Sequence, residues 1–131
     1  MIEDAVVAES AFALVGGAPA VRRLVDTFYA LVEHDLAYAE LRAMHADDLG
    51  EVRASLAGFL AAWLGGPRDW FVEHPGVCMM SRHRAMPITE ATARQWTGAM
   101  EQALRLADIE PRIAEPMLHR FLAMADAMSR R

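Results

Sequence analysis

The amino-acid sequence predicts an all-α fold. Apolar residues recur at spacings of three and four over several stretches, strand-like alternation is scarce, and glycine or proline stands where each stretch would have to end. The chain has 131 residues, of which 54% are hydrophobic and 24% charged. That length suits one domain over residues 1–131 and is too short for two. We therefore expect a single helical domain, apolar enough to enclose an apolar group.

The charge and the cysteine content limit which binding partners and which cellular compartment we expect. The net charge is −5 without a stripe of Lys or Arg, so we expect neither nucleic acid nor an anionic membrane surface as a partner. Cys78 is the single cysteine, which excludes an internal disulfide and suits a reducing compartment. The sequence shows no signal-peptide pattern and no run of about 18 apolar residues that would span a bilayer. We therefore expect a cytoplasmic protein.

Two helices are predicted before residue 35. The first covers residues 3–15 and ends at Gly16-Gly17, because glycine readily adopts the left-handed conformation of a helix end. Pro19 suits the first turn of the second helix. The apolar stripe of that helix consists of Val21, Leu24, Val25, Phe28, Leu31 and Val32. Tyr29 lies beside the stripe and is a candidate for a pocket wall, although a half-exposed tyrosine fits the pattern equally well.

The middle of the chain predicts a corner, a helix and a loop. Asp47-Asp48 can cap the next helix, which places His45 at the corner before it. The apolar face of that helix consists of Val52, Leu56, Phe59, Leu60 and Trp63. Gly65-Gly66-Pro67 ends it, since two glycines and a proline do not continue a helix. Residues 68–75 lack sustained periodicity, so we expect a loop or short turn.

Two further helices are predicted in the C-terminal half. Thr89 caps the first, over residues 90–106. Its inward face is Trp96, Met100, Ala103, Leu104 and Ala107. The last helix follows Pro111 and carries Pro116 within its first turns. It is expected to bury Ile113, Met117, Phe121, Leu122, Met124 and Met128.

His83 is the candidate ligand of a metal. It stands between Arg82 and Arg84, after the mostly apolar residues 77–80 and shortly before Pro87, so its ring can face the core. A neutral imidazole binds iron, zinc or copper through one ring nitrogen, while the other donates to a neighbouring acceptor. A single histidine near apolar residues is more often a structural side chain, and the spacing alone leaves both interpretations open.

Several short motifs, each common in isolation, occur here in a specific order. They are Val15-Gly16-Gly17, Phe28-Tyr29, Met44-His45-Ala46-Asp47-Asp48-Leu49, Trp63-Leu64-Gly65-Gly66-Pro67, Arg82-His83, Pro87-Ile88 and Trp96. In this order and spacing, the chain resembles the group II truncated haemoglobins over about residues 12–128. The resemblance implies a truncated globin fold, the two-over-two helical sandwich.

The resemblance also implies a haem b cofactor and its polar pocket. His83 takes the position of the proximal histidine, the protein ligand of haem iron, which leaves the opposite iron face for a diatomic molecule. Tyr29, His45 and Trp96 take the family's distal positions and would supply phenol, imidazole and indole donors. Val52 stands where many haemoglobins have histidine or glutamine, and its side chain cannot donate.

A further set of residues is implied to hold the porphyrin. These residues are Leu56, Phe59, Leu60, Arg82, Met86 and Ile88. Arg82 would pair with a haem propionate. The chain departs from the family here, because residues 79–81 replace a basic run and Met86 replaces the usual aromatic residue. We expect these departures to change the geometry of the segment around His83, and they bear less on the assignment of haem as the cofactor.

The implied function is the binding of dioxygen and other small diatomic molecules by a monomer or homodimer. A nitric oxide dioxygenase or a peroxidase is an alternative within the haem proteins, with a reductase as a further candidate partner. A helical interaction module without a cofactor is the other alternative. The sequence has no Glu-x-x-His pair for a di-iron bundle and no ligand cluster for zinc. His34, His74 and His119 are expected on the surface.

Overall fold

The computed structural model describes residues 10–76, 83 and 86–130. Within these residues all regular structure is helical, so the all-α prediction is confirmed. The helices are α1 (Ala11–Val15), α2 (Gly17–His34), α3 (Ala39–Ala43), α4 (Gly50–Trp63), α5 (Asp69–Glu73), α6 (Glu90–Leu106) and α7 (Pro111–Arg130), with a short 3-10 helix at Leu36–Tyr38. None of the described helices is long and apolar enough to cross a membrane.

Two helix pairs form the framework. Helix α2 packs against α4, helix α6 packs against α7, and α2 contacts α6 between the pairs. The largest fully buried side chains come from these helices and are Phe28, Phe121, Leu24, Leu60, Met100, Val25 and Val32. The predicted stripe of α2 is buried except for Leu31, which is half-buried. One continuous core therefore joins the two pairs.

Local sequence chemistry sets the end of α1 and the start of α6. Gly16, with φ of 116°, ends α1 as predicted, and α2 begins at the next residue. The predicted start of the first helix, at residues 3–9, lies outside the described residues. Thr89 caps α6, because its Oγ1 accepts from the Thr92 backbone N–H at 3.1 Å and the Thr92 hydroxyl accepts from the Thr89 N–H at 3.0 Å. The predicted bounds of α6 are confirmed.

Residues 68–75 differ from the expected loop, because they contain α5. Trp70 of this helix lies so close to Gly58 of α4 that a Cβ at Gly58 would be 2.3 Å from the Trp70 Cβ. The neighbouring Phe71 ring meets the Phe59 ring at 6.5 Å between centroids. Contacts with α4, rather than a periodic sequence, therefore stabilise this single turn of helix.

The inward face of α7 was predicted with one error. Met117 and Phe121 are buried, and Ile113, Met124 and Met128 are half-buried. Leu122, however, is 48% exposed. Successive residues of an α-helix are about 100° apart, so Leu122 turns away from the stripe that Phe121 defines.

Candidate functional site

A cavity of about 380 Å³ lies among α2, α4, α6 and α7. Its volume falls within the roughly 300–1,000 Å³ of small-molecule and cofactor sites. Most of its wall is apolar, formed by Leu41, Met44, Ala46, Val52, Leu56, Phe59, Met86, Ile88, Ala93, Phe121, Met124, Ala125 and Met128. The polar or amphipathic lining residues are Tyr29, His45, Glu51, Ser55, His83, Thr92 and Trp96. The cavity therefore offers an apolar volume with a small set of polar groups.

The structure brings most of the predicted site residues to this cavity. They are Tyr29, His45, Val52, Leu56, Phe59, His83, Met86, Ile88 and Trp96. Leu60 differs from the expectation, because it is fully buried in the core and does not line the cavity. Arg82 lies outside the described residues. Residues that are about 50 positions apart in the chain, such as Tyr29 and His83, thus line one cavity.

His83 is half-buried, and its side chain lines the cavity. Its backbone is helical, and its carbonyl oxygen accepts a hydrogen bond from the Met86 N–H at 3.0 Å. Met86 and Ile88 line the same cavity. The local backbone therefore presents an imidazole and two apolar side chains together.

Tyr29 is a buried phenol in the cavity wall. Only 5% of the residue is exposed, and burial raises the pKa of its hydroxyl to about 12 against the opposing effect of the nearby Arg53 charge. The hydroxyl therefore keeps its proton at neutral pH and can donate. No described residue forms a hydrogen bond with this hydroxyl. Every fully buried side-chain nitrogen or oxygen of the described residues has a hydrogen-bond partner, so the Tyr29 hydroxyl is not fully buried. It is accessible from the cavity that Tyr29 lines.

His45 has one ring nitrogen engaged by the backbone. Its Nδ1 lies 2.8 Å from the carbonyl oxygen of Leu41, which can only accept, so Nδ1 carries a proton. In the neutral ring Nε2 is then an acceptor, and the imidazole offers the cavity a donor only when it is doubly protonated. Its ring meets the Tyr29 ring edge-on, with centroids 5.9 Å apart. The expected imidazole donor is thus conditional on protonation.

Trp96 is half-buried on α6 and lines the cavity between two phenylalanines. Its ring centroid is 5.3 Å from that of Phe28 and 5.3 Å from that of Phe121. No described residue accepts a hydrogen bond from its indole N–H. An indole is a donor only, so Trp96 supplies the cavity with a second donor beside Tyr29.

Several lining residues were missed or assigned elsewhere by the sequence. Phe121, Met124 and Met128 were expected to face the core of the last helix, and they face the cavity as well. Glu51 and Ser55 were not singled out at all. No sequence signal separates these cases, because a helix face against a cavity and one against a solid core have the same periodicity. His34, His74 and His119 are exposed, as expected.

Two helix pairs around an apolar cavity, with an imidazole, a phenol and an indole in its wall, define an all-α protein of globin type. The chain belongs to the bacterial-like globin family, whose sequence profile matches residues 10–130. It is similar to the group 2 truncated hemoglobin YjbI of Bacillus subtilis, with 32% identity over 99 residues, which cover 76% of this chain and 73% of that protein. The predicted family resemblance is confirmed.

Solved structures agree with this membership. The group II 2-on-2 hemoglobin of Agrobacterium tumefaciens superposes with a TM-score of 0.87 at 27% identity, covering 92% of this chain and 93% of that one. The truncated oxygen-avid haemoglobin of Bacillus subtilis gives a TM-score of 0.83 at 29% identity, covering 92% of this chain and 98% of that one. The α2/α4 and α6/α7 pairs therefore form the two-over-two sandwich that the sequence predicted.

The globin family implies haem as the cofactor, and the residues of the cavity fit this group. The apolar wall suits a porphyrin face. His83 supplies an imidazole, the side chain that binds haem iron in globins. Among the described residues, no group of three or more His, Cys, Asp or Glu could hold a metal ion by itself.

Proposed function

We propose that the cavity holds haem b with His83 as its axial ligand, and that the chain binds dioxygen and other small diatomic molecules there. The observation that carries the proposal is the convergence of His83, Tyr29 and Trp96 on one apolar cavity. Haem iron supplies the coordination position that a diatomic molecule occupies reversibly. The protein residues supply the pocket, its donors and its exclusion of water.

Tyr29 and Trp96 are proposed as the donors to the bound molecule. Dioxygen gains partial negative charge when it binds, so an N–H or O–H aimed at it stabilises the complex by about 0.5–1.5 kcal/mol per hydrogen bond. Val52 lines the same cavity and cannot donate. The neutral His45 ring donates to the Leu41 carbonyl through Nδ1 and can only accept through Nε2, so it is proposed as a neighbour of the Tyr29 ring and not as a donor to the bound molecule. Two donors together favour slow oxygen release, consistent with the oxygen-avid haemoglobin that resembles this chain.

The porphyrin contacts are proposed from the apolar wall. Leu56 and Phe59 come from α4, and Met86 and Ile88 follow His83 in the sequence. Arg82 remains the proposed partner of a haem propionate. Removal of apolar surface from water, at about 25 cal/mol per Å², would favour the binding of such a group.

Replacing His83 with Ala tests the axial role. The parent protein, purified with haem, is expected to give a five-coordinate ferrous spectrum that changes on adding oxygen or carbon monoxide. The His83→Ala variant should lose that spectrum, because no imidazole then reaches the iron. His119→Ala, at an exposed position of α7, should keep it and serves as the control. A native ferrous spectrum in His83→Ala contradicts the proposal, and the pyridine haemochrome of the parent identifies the haem type.

A further inference from the structure

We propose that Arg53 is a positioning residue for Tyr29. Its guanidinium, held by two carboxylates of α2, fixes the phenol ring in the cavity wall and makes the hydroxyl a stronger hydrogen-bond donor to a bound diatomic molecule. This role rests on the proposed function, in which Tyr29 is a donor. Arg53 itself does not line the cavity and acts through the phenol.

The contacts of Arg53 link α4 to α2 around the phenol. Its Nη1 lies 3.1 Å from Oδ1 of Asp26, and its Nη2 lies 3.9 Å from Oε1 of Glu33. Its Cζ is 6.0 Å from the centroid of the Tyr29 ring. One guanidinium therefore has two carboxylates and one aromatic ring of the same helix as neighbours.

Helix geometry explains why one side chain can meet all three. Asp26 and Glu33 are seven residues apart, so they lie two turns apart on the same stripe of α2. Tyr29 lies between them along the helix. The N–H donors of a guanidinium lie in its plane and point outward from different edges, so it can engage both carboxylates at once. The two ion pairs thus place the cation across the turn of α2 that carries Tyr29.

The electrostatic effect follows from this placement. A positive charge near a phenol favours negative charge on its oxygen, which makes the O–H a better donor. The Arg53 charge opposes the effect of burial on the pKa of Tyr29 in this direction. A cation within about 6 Å of an aromatic centroid is also attracted to the ring, which restricts the ring's position.

The ion pairs of Arg53 are partly exposed, so we expect them to contribute little to the free energy of unfolding. The side chains of Arg53, Asp26 and Glu33 are 34%, 52% and 36% exposed. Exposed ion pairs contribute little to stability because water and salt screen them. An Arg53→Met variant, which keeps an unbranched apolar side chain, is therefore expected to fold with an unchanged urea midpoint.

A double-mutant cycle in the haem-loaded protein tests the role. Oxygen dissociation rates are compared for the parent, Tyr29→Phe, Arg53→Met and the double variant. Arg53→Met should release oxygen about two- to fivefold faster, as expected for a lost cation–aromatic contact. It should add nothing in the Tyr29→Phe background. Arg53→Lys should restore part of the effect, and Arg94→Met, at an exposed ion pair of α6, should leave the rate unchanged.

The outcomes separate the two proposals. If Tyr29→Phe accelerates release and Arg53→Met does not, Tyr29 is a donor and the role of Arg53 is overturned. An equal effect of Arg53→Met with and without the phenol also overturns it. If Tyr29→Phe leaves the rate unchanged, the donor role of Tyr29 fails, and the role of Arg53 fails with it.

A second measurement needs no haem. Tyr29 and Tyr38 are the only tyrosines, so in a Tyr38→Phe background the tyrosinate absorbance of the haem-free chain reports Tyr29 alone. Fluorotyrosine incorporation brings this titration to lower pH. Adding Arg53→Met should raise the Tyr29 pKa, and Arg53→Lys should return it towards the parent value. An unchanged pKa in Arg53→Met overturns the electrostatic role.

Discussion

The Phe28 side chain packs against both proposed donors, Tyr29 and Trp96, and fixes their relative positions. Its side chain is fully buried, and its ring centroid lies 4.9 Å from that of Tyr29 and 5.3 Å from that of Trp96. Fully buried aromatic rings move little without repacking the core. The phenol and the indole therefore share one rigid support, and removing either donor should leave the other in place.

Trp96→Phe is expected to keep haem and to release oxygen faster. The phenylalanine retains most of the ring packing and removes the N–H, so the loss of one hydrogen bond should increase the dissociation rate about two- to tenfold. Stopped-flow oxygen displacement measures it. Trp63→Phe is the control, because Trp63 stacks on Phe121 at 4.9 Å and does not line the cavity. An unchanged rate in Trp96→Phe would show that the indole is not a donor.

For His45 and Arg53, the sequence does not predict contacts that form only in the folded chain. The resemblance placed His45 among the donors, and the pattern of the chain gave no reason to doubt it. The state of its ring depends on the Leu41 carbonyl 2.8 Å from Nδ1, which is a feature of the folded corner. Arg53 was overlooked for a similar reason, since its carboxylate partners lie on another helix.

At the level of helices, the prediction succeeded where the signal was local. Gly16 and Thr89 set helix ends through their own backbone conformation and hydroxyl group, so the ends of α1 and α6 could be read directly. Helix α5 could not, because a five-residue helix depends on packing against α4. Long periodic segments and caps were thus predictable, and a short helix held by tertiary contacts was not.

Two glycine-to-alanine changes test the packing of these helices. At Gly58 a Cβ would be 2.3 Å from the Trp70 Cβ, so Gly58→Ala should push α5 away and lower the free energy of unfolding by about 1–3 kcal/mol. At Gly98 the nearest atoms belong to Tyr38 at 3.7 Å, an ordinary contact. Gly98→Ala should therefore raise stability by about 0.5–1 kcal/mol through helix propensity. Urea unfolding distinguishes the two, and equal effects would contradict the close approach.

For the whole molecule, the sequence indicated several residues that meet at the cavity but not the complete cavity wall. The family resemblance led to His83, Tyr29 and Trp96, and the fold brings all three to one cavity. Leu60 was expected beside them and lies in the core instead. A helix of the sandwich has a solid core and a cavity on adjoining faces, and hydrophobic periodicity reports both as one apolar stripe. The cavity boundary therefore requires the three-dimensional structure.

The buried phenol also makes global stability depend on alkaline pH. The pKa of Tyr29 is about 12 in the folded chain and 10.0 as the reference for an unfolded one, so the folded state binds more protons between these values. Stability from this group is complete below pH 10 and falls as the pH rises towards 12. By pH 11 the loss is about 1.4 kcal/mol.

Urea unfolding at pH 8 and pH 11 measures this dependence. The parent should lose about 1.4 kcal/mol more than Tyr29→Phe between the two conditions, because the variant has no proton to release at that position. Tyr38 remains in both chains, so its contribution cancels in the comparison. Equal losses in the parent and the variant would show that the phenol is not desolvated as the fold implies.

Four methionine side chains make parts of the cavity wall more flexible than its aromatic rings. Met124 and Met128 line it from α7, and Met44 and Met86 line it from the loops. An unbranched thioether has three rotatable bonds and a polarisable sulfur, whereas an aromatic ring such as that of Phe28 has two. Where these methionines line the cavity, rotamer changes can alter its outline without any movement of a helix axis. The cavity wall therefore combines adaptable methionine side chains with aromatic rings of fixed position.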